Sequence, residues 1–345
     1  MEKTSLRAGV NLGGWLSQYP AYDHQHFKTF IVADDIRRIA DWGFDHVRLP
    51  VDYPVLADEA RPGIYLSSGF DYLLQALEWC QEAGLRVVLD LHRAPGYRFD
   101  APAENTLFSD AARQEQFIAL WGVLAERLEE VSAEWLAFEL LNEVVLPESG
   151  PWNWLAQAAL TRIRQVDRGR LVIIGANRYA SPDELQHLDI LPDPHVLYTF
   201  HFYEPLLVTH QRAYWVPWLL EFDRAVEYPG CVPDPQRLMS LRPEMAAFVE
   251  KYSRQPMDSE LLRHYLRPAL DFVRRSGQTV YCGEYGVIDR ASPATRIRWT
   301  GDFVELLREY NIGRALWSYK AMDFGLVDGA GNVVSEELIR ITSQP

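Results

Sequence analysis

The chain has 345 residues and a formal net charge of −14, from 34 Lys and Arg against 48 Asp and Glu. That acidity argues against nucleic acid as a partner and fits a protein that handles a neutral ligand. With 48% hydrophobic residues the chain can bury a large core.

Short apolar runs alternate with helical patterns along the whole length, which reads as βα units around a parallel sheet. The first run, Ala8 to Leu12, is followed by Ile36, Ile39 and Ala40 at helical spacing, with Asp34 as the expected N-cap and Gly43 as the stop. Asp45 to Leu49 is the second candidate strand, and it carries Arg48. The third, Arg86 to Leu91, is followed by His92. A stripe of Phe117, Leu120, Trp121, Leu124 and Leu128 forms the next helix.

The fourth run is Trp135 to Leu141, and Asn142-Glu143 stand just past it. Leu171 to Gly175 follows, and Ser181-Pro182-Asp183-Glu184 then reads as a capping box with Pro at the first helical position. The sixth run, Val196 to Phe202, holds His201 and leads into Tyr203. The segment 204–259 is then too long for an ordinary loop. It contains Tyr214, Trp215, Trp218, Phe222 and Tyr228, so it has a structure of its own, and it leaves from the same strand ends as the polar groups. A helix near Leu261, the seventh run Thr279 to Gly283 with Glu284 at its end, the helix opened by Ser292-Pro293 and an eighth run, Ala315 to Tyr319 with Trp317, complete the series.

Eight strands are what a closed (β/α)₈ TIM barrel needs, with residues 1–345 as one catalytic domain and 204–259 as a subdomain inserted after strand 6. Arg48, His92, Asn142, Glu143, His201, Tyr203, Glu284 and Trp317 fall at or near strand ends. Each alone has a bland reading: a satisfied structural His, a core Trp, an Arg paired for structure. Their coincidence on one face is the signal. Two carboxyls of different protonation state are what hydrolysis of a glycosidic bond requires. Eleven Trp in the chain read first as core, with sugar stacking as the functional alternative.

These residues resemble glycoside hydrolase family 5, a family of retaining barrel enzymes that includes bacterial endoglucanases. The resemblance rests on Gly9-Val10-Asn11-Leu12-Gly13-Gly14-Trp15, His46-Val47-Arg48-Leu49-Pro50, Leu89-Asp90-Leu91-His92, Leu140-Leu141-Asn142-Glu143, His201-Phe202-Tyr203, Gly283-Glu284-Tyr285-Gly286 and Trp317-Ser318-Tyr319-Lys320. Compact clostridial-type endoglucanases with a subdomain after strand 6 are the most similar in pattern. The resemblance implies Glu143 as general acid/base and Glu284 as nucleophile, held by Arg48 and Tyr203. It implies Asn142 on the sugar 2-hydroxyl, His92 on the same ring, His201 beside the acid/base and Trp317 as the floor. One position departs from the pattern: Arg93 stands where such relatives carry a second His, which bears on the more distant sugars.

The implied activity is retaining, endo-acting hydrolysis of β-1,4 or mixed β-1,3/1,4 glucosidic bonds in a β-glucan or gluco-oligosaccharide. Rival readings are a β-1,3-glucanase or exo-glucanase, a β-mannanase, and a non-catalytic carbohydrate-binding barrel, which would lack one of the two glutamates. A metal-dependent barrel needs carboxylates on successive strand ends or a His-x-His pair with further ligands. The strand ends here carry Arg48, His92, Glu143 and Asn177, so neither metal nor cofactor is expected. Cys80, Cys231 and Cys282 give no disulfide framework. No apolar run spans a bilayer, and the start has no signal-peptide core. The chain as given therefore reads as a cytoplasmic monomer without membrane contact, or as a secreted protein whose signal has been removed.

Overall fold

The computed structural model describes residues 1–345, the side chain of Thr4 excepted. Eight parallel strands close into a barrel in sequence order. They are β1 (Ala8–Asn11), β2 (His46–Asp52), β3 (Arg86–Arg93), β4 (Leu136–Glu139), β5 (Leu171–Gly175), β6 (Val196–Phe202), β7 (Val280–Tyr285) and β8 (Gly313–Leu316). The ring closes where β1 pairs with β8, Gly9 opposite Ala315. All eight expected strands are present.

Their ends differ from the expectation in ways that matter. β2 runs on to Asp52, and β7 contains Glu284 instead of stopping before it. β8 starts at Gly313 and ends at Leu316, so Trp317 lies just past the strand. Apolar content marks where a strand is buried, not where its ladder bonds stop.

Helices fill the outside. Those at Ala33–Asp41, Ser67–Glu82, Ala111–Arg127, Gly150–Arg164, Ser259–Ser276, Pro293–Glu309 and Glu336–Ser343 each follow a strand. Ser292 caps its helix through a side chain that accepts from Thr295 N. Two capping expectations are corrected. The N-cap of the first of these helices is Val32, not Asp34, because the Asp35 carboxylate reaches back to accept from Val32 N. After β5 come only a four-residue turn of helix, Asn177–Ala180, and a six-residue 3-10 helix, Pro182–His187, and the Ser181 side chain makes no capping bond. With β6 beginning at Val196, few residues remain there for a longer helix.

Inside the barrel, side chains alternate with period two. Leu6, Val88, Ala137, Leu171, Ile173, Leu197, Tyr281 and Ala315 form an apolar cluster at the base. Gly9 is required in that layer: a Cβ there would lie 2.2 Å from His46 Nε2. One step towards the strand C-termini the inward positions are polar, with Asn11, Arg48, Asp90, Glu139 and Thr199 all buried. The barrel is thus dry below and ionic above, and the ionic layer supports the mouth.

Between β6 and the helix Ser259–Ser276 the chain forms short helices at Leu206–Thr209, Pro217–Phe222, Pro235–Leu241 and Ala246–Tyr252. Phe222, Tyr228, Leu238, Val249 and Met257 are buried there. The segment docks on the helix Pro293–Glu309, where Tyr228 donates to Asp302 (2.8 Å) and Thr295 donates to Glu227 (2.7 Å). No helix among the described residues is long and apolar enough to cross a membrane.

Candidate active site

The mouth of the barrel holds a cavity of about 350 Å³. Of the eight residues singled out from the sequence, His92, Asn142, Glu143, Tyr203, Glu284 and Trp317 line it. Arg48 and His201, 0% and 3% exposed, lie buried beneath and bond the groups that line it. All eight are therefore brought together.

Glu284 reaches the mouth through a backbone irregularity. Tyr281 faces the barrel interior and Tyr285 packs outward on Phe303, 5.4 Å between rings. Strict alternation would turn Glu284 outward as well. The ladder shifts between Cys282 and Tyr285 on the β8 side, and between Phe200 and His201 on the β6 side, which sets His201 opposite Glu284. Bulges re-aim side chains in this way, and here the shift brings the carboxyl inward.

Arg48 Nη1 donates to Glu284 Oε1 (2.8 Å) and Tyr203 Oη donates to Glu284 Oε2 (2.9 Å). His201 Nδ1 lies 2.9 Å from Glu143 Oε1 and 3.5 Å from Glu284 Oε2, so the ring bridges the two carboxyls. His92 Nδ1 lies 2.8 Å from Asp90 Oδ2, and its ring stacks on Trp317 with centroids 5.7 Å apart and planes 6° from parallel. Asn142 Oδ1 accepts from Arg48 Nη2 (2.8 Å). Tyr97 Oη donates to the backbone oxygen of Glu143 and accepts from Val145 N, both at 2.7 Å, which fixes the turn that carries Glu143.

The electrostatics separate the two carboxyls by their partners. Burial pushes Glu143 up to about 8, opposed by Arg48 and reinforced by Asp90. Burial also raises Glu284, against the downward pull of the Arg48 cation. Arg48 by itself lowers Glu284, but desolvation outweighs it. Burial depresses both His92 and His201 to about 4, so the rings are neutral at ordinary pH. Asp90 is raised to about 7 by burial against Arg48.

Glu143, His201 and Glu284 each offer a ligand atom, and these atoms lie within 4.8 Å of one another. Both Glu284 oxygens already accept hydrogen bonds, and the Arg48 cation stands against one of them, which disfavours a second cation. A His-x-His run that the sequence reading overlooked, His24-Gln25-His26, lies on the helix His24–Thr29, where its rings meet Tyr72 Oη (2.8 Å) and Gly14 O (2.7 Å).

The cavity also includes residues the sequence reading did not single out as site residues: Gln18, Phe99, Asp100, His210, Met322, Asp323 and Phe324. They sit on loops, where no periodic pattern marks a residue's direction. The aromatic residues of 204–259 divide. Tyr214 and Trp215 line the cavity and are 64% and 42% exposed, whereas Trp218 packs under the Arg242 guanidinium. Arg93, the departure noted above, lies 3.7 Å from Asp52 Oδ2 and does not line the cavity.

A closed parallel barrel with a close carboxyl pair at the C-terminal ends of its strands is the architecture of a barrel glycosidase. A family model described as cellulase (glycosyl hydrolase family 5) matches residues 9–323, and the chain belongs to that family. It is 43% identical to endoglucanase C of Acetivibrio thermocellus over 340 residues, 99% of this chain and 98% of the relative. It is 33% identical to cellodextrinase A of Ruminococcus flavefaciens, over 91% of this chain and 85% of that one. The structure of Thermotoga maritima Cel5A in complex with cellobiose, in a mutant form, superposes with a TM-score of 0.80 at 23% identity, each chain covered completely, a likeness of fold.

Proposed function

We propose that the protein is a retaining, endo-acting β-glucanase that cleaves β-1,4 or mixed β-1,3/1,4 glucosidic bonds. The observation that carries this is the proximity of Glu143 and Glu284, with His201 between them and ligand atoms of all three within 4.8 Å. Retaining enzymes hold their two carboxyls at roughly 5 Å, while inverting ones need more room for a water.

In this reading Glu284, which accepts from Arg48 and Tyr203, carries the charge and attacks the anomeric carbon. Glu143, raised to about 8, carries the proton and delivers it to the leaving oxygen. It then takes a proton from the water that releases the glycosyl-enzyme. Asn142, anchored by Arg48, addresses the 2-hydroxyl. His92 and Trp317 form the stacked surface under the ring, with His92 Nε2 buried and unpartnered. The endoglucanase named among the relatives supports a glucan as substrate.

The first-formed product should be the β-anomer by proton NMR, and mixed oligomers should appear early from polymer. An initial α-anomer would rule out the retaining assignment, and a single small sugar would replace endo action by exo action.

Tyr214 and Trp215 extend the cavity wall on the inserted segment. Trp215 meets Tyr214 edge-on at 4.8 Å and His210 at 5.9 Å, and Arg290 sits 5.4 Å from the Tyr214 ring. An exposed, braced aromatic pair suits stacking with a sugar ring, worth about 1 kcal/mol per contact. Trp215→Ala should therefore cut kcat/KM on long oligosaccharides several-fold and leave a short aryl cellobioside nearly unaffected. An unaltered chain-length dependence would assign the pair to packing.

A further inference from the structure

The Arg48 guanidinium has five N–H groups, the full inventory of that side chain, and every one is engaged. Nε and Nη2 donate to the two oxygens of Glu139 at 2.8 and 2.9 Å. Nη1 donates to Asn11 Oδ1 (2.9 Å) and to Glu284 Oε1 (2.8 Å), and Nη2 also donates to Asn142 Oδ1 (2.8 Å). Asn11 in turn donates to Gly283 O at 3.0 Å, the residue before Glu284. Glu139 is 1% exposed and does not line the cavity, so it reaches no substrate. It nevertheless takes two of the five donors in the fork geometry that fixes a guanidinium plane most firmly.

We propose that Glu139 is a positioning residue for the hydrolytic reaction. Its two-point grip sets the plane of Arg48, so that Nη1 meets Glu284 and Nη2 meets Asn142. Its charge offsets part of the cation, so that Arg48 orients the attacking carboxylate without stripping it of basicity. The inference rests on the reading of Glu284 as the nucleophile.

Glu139→Gln removes the charge and turns one oxygen into an N–H donor facing a donor. The guanidinium is then free to tilt, and its pull on Glu284 is no longer shared. A stronger pull favours the ionised carboxylate, so Glu284 should titrate lower. Activity needs that ionised form, so the acid limb of kcat/KM should move to lower pH by about one unit. Misplacement on the scale of a lost clamp should cut kcat about 10²-fold, with KM within about twofold. Glu139→Asp keeps the charge but shortens the reach, so kcat should fall while the acid limb stays in place. The other titratable groups around this cluster are Asp90, His92, Glu143, His201, Tyr203, Tyr281 and Cys282; the Glu139 charge also raises His92, His201 and Tyr281, so Glu139→Gln should hold both His rings still more firmly neutral and leave the acid limb to Glu284.

The experiment combines these pH profiles with trapping by an activated 2-deoxy-2-fluoro-cellobioside, followed by peptide mapping. In the wild type the label should sit on Glu284, and it should form more slowly in both variants. A label elsewhere in the wild type overturns the nucleophile reading itself. A label on Glu284 that forms at the wild-type rate in folded Glu139→Gln, with an unmoved acid limb, overturns the role of Glu139 alone. If Glu139→Gln does not fold, Glu139→Asp decides, and a wild-type kcat there overturns the proposal.

Discussion

Glu284→Ala should lower kcat on every substrate by about 10⁵-fold, the scale on which loss of a covalent nucleophile acts. Polymer and activated aryl glycoside should be hit alike, because both need the carboxylate to attack carbon. Glu143→Ala should behave differently. General acid catalysis contributes about 10²–10⁴-fold, so hydrolysis of polymer should fall by that factor. The first step on an aryl glycoside with a good leaving group should be largely spared, because that group departs without a proton. Added azide should accelerate turnover of Glu143→Ala by attacking the glycosyl-enzyme from the face that water uses, giving a β-glycosyl azide. The measurement is a pair of leaving-group series with product analysis. Equal losses on polymer and aryl substrate in both variants would remove the basis for assigning separate roles.

Arg48→Ala is the second large effect. Arg48 is 0% exposed and lies against Asp90, Glu139 and Glu284 at 3.1, 2.8 and 2.8 Å. Removing it leaves three buried acidic groups without their cation. Breaking a buried pair from one side typically costs about 3–5 kcal/mol of stability, so a clear drop in Tm is expected at neutral pH.

The pH profile should change in a defined direction. Arg48 favours ionised Glu284; without it the Glu284 pKa rises and the acid limb of kcat/KM moves to higher pH. In the proposed mechanism the basic limb belongs to Glu143, which acts protonated, so rate should fall as pH rises through about 8. Arg48 lowers Glu143 too, so that limb should also move up, by less, because Arg48 makes no hydrogen bond to Glu143. The bell should therefore narrow from its acid side. Loss should amount to about 10²–10³-fold, as for a preorganised charge donor. A folded Arg48→Ala protein with an unmoved acid limb would make Arg48 a purely structural residue. Arg48→Lys keeps the charge without the fork and should fall between the two.

Much of this could be read before folding was considered. Eight apolar runs at βα spacing carry the barrel, because a strand buried on both faces must be apolar nearly throughout. Ser292-Pro293 opens its helix as its chemistry requires. Asn142-Glu143 stand past a buried run, and that position is itself the signal of a site. Other features were not legible. Asn11, Asp90 and Glu139 are single polar residues within apolar strands, and their meaning appears only when Arg48 brings them together from separate strands. The overlooked His-x-His run shows the opposite hazard, a ligand-like pattern spent on ordinary packing.

By itself, then, the sequence determined the barrel and the place where the chain departs for the segment 204–259, and it singled out eight residues that the fold brings together at the barrel mouth. These follow from local periodicity and from residue chemistry, which need no knowledge of neighbours. The tertiary structure decided which way Glu284 points, because a ladder shift against β6 and β8 reverses strand parity at that residue. It decided that burial outweighs Arg48 in setting the Glu284 pKa, since desolvation depends on everything that encloses the carboxyl. It also decided which aromatic residues of 204–259 face the cavity, because a side chain's direction on an irregular segment is fixed by the surfaces it meets and by no repeat in the chain.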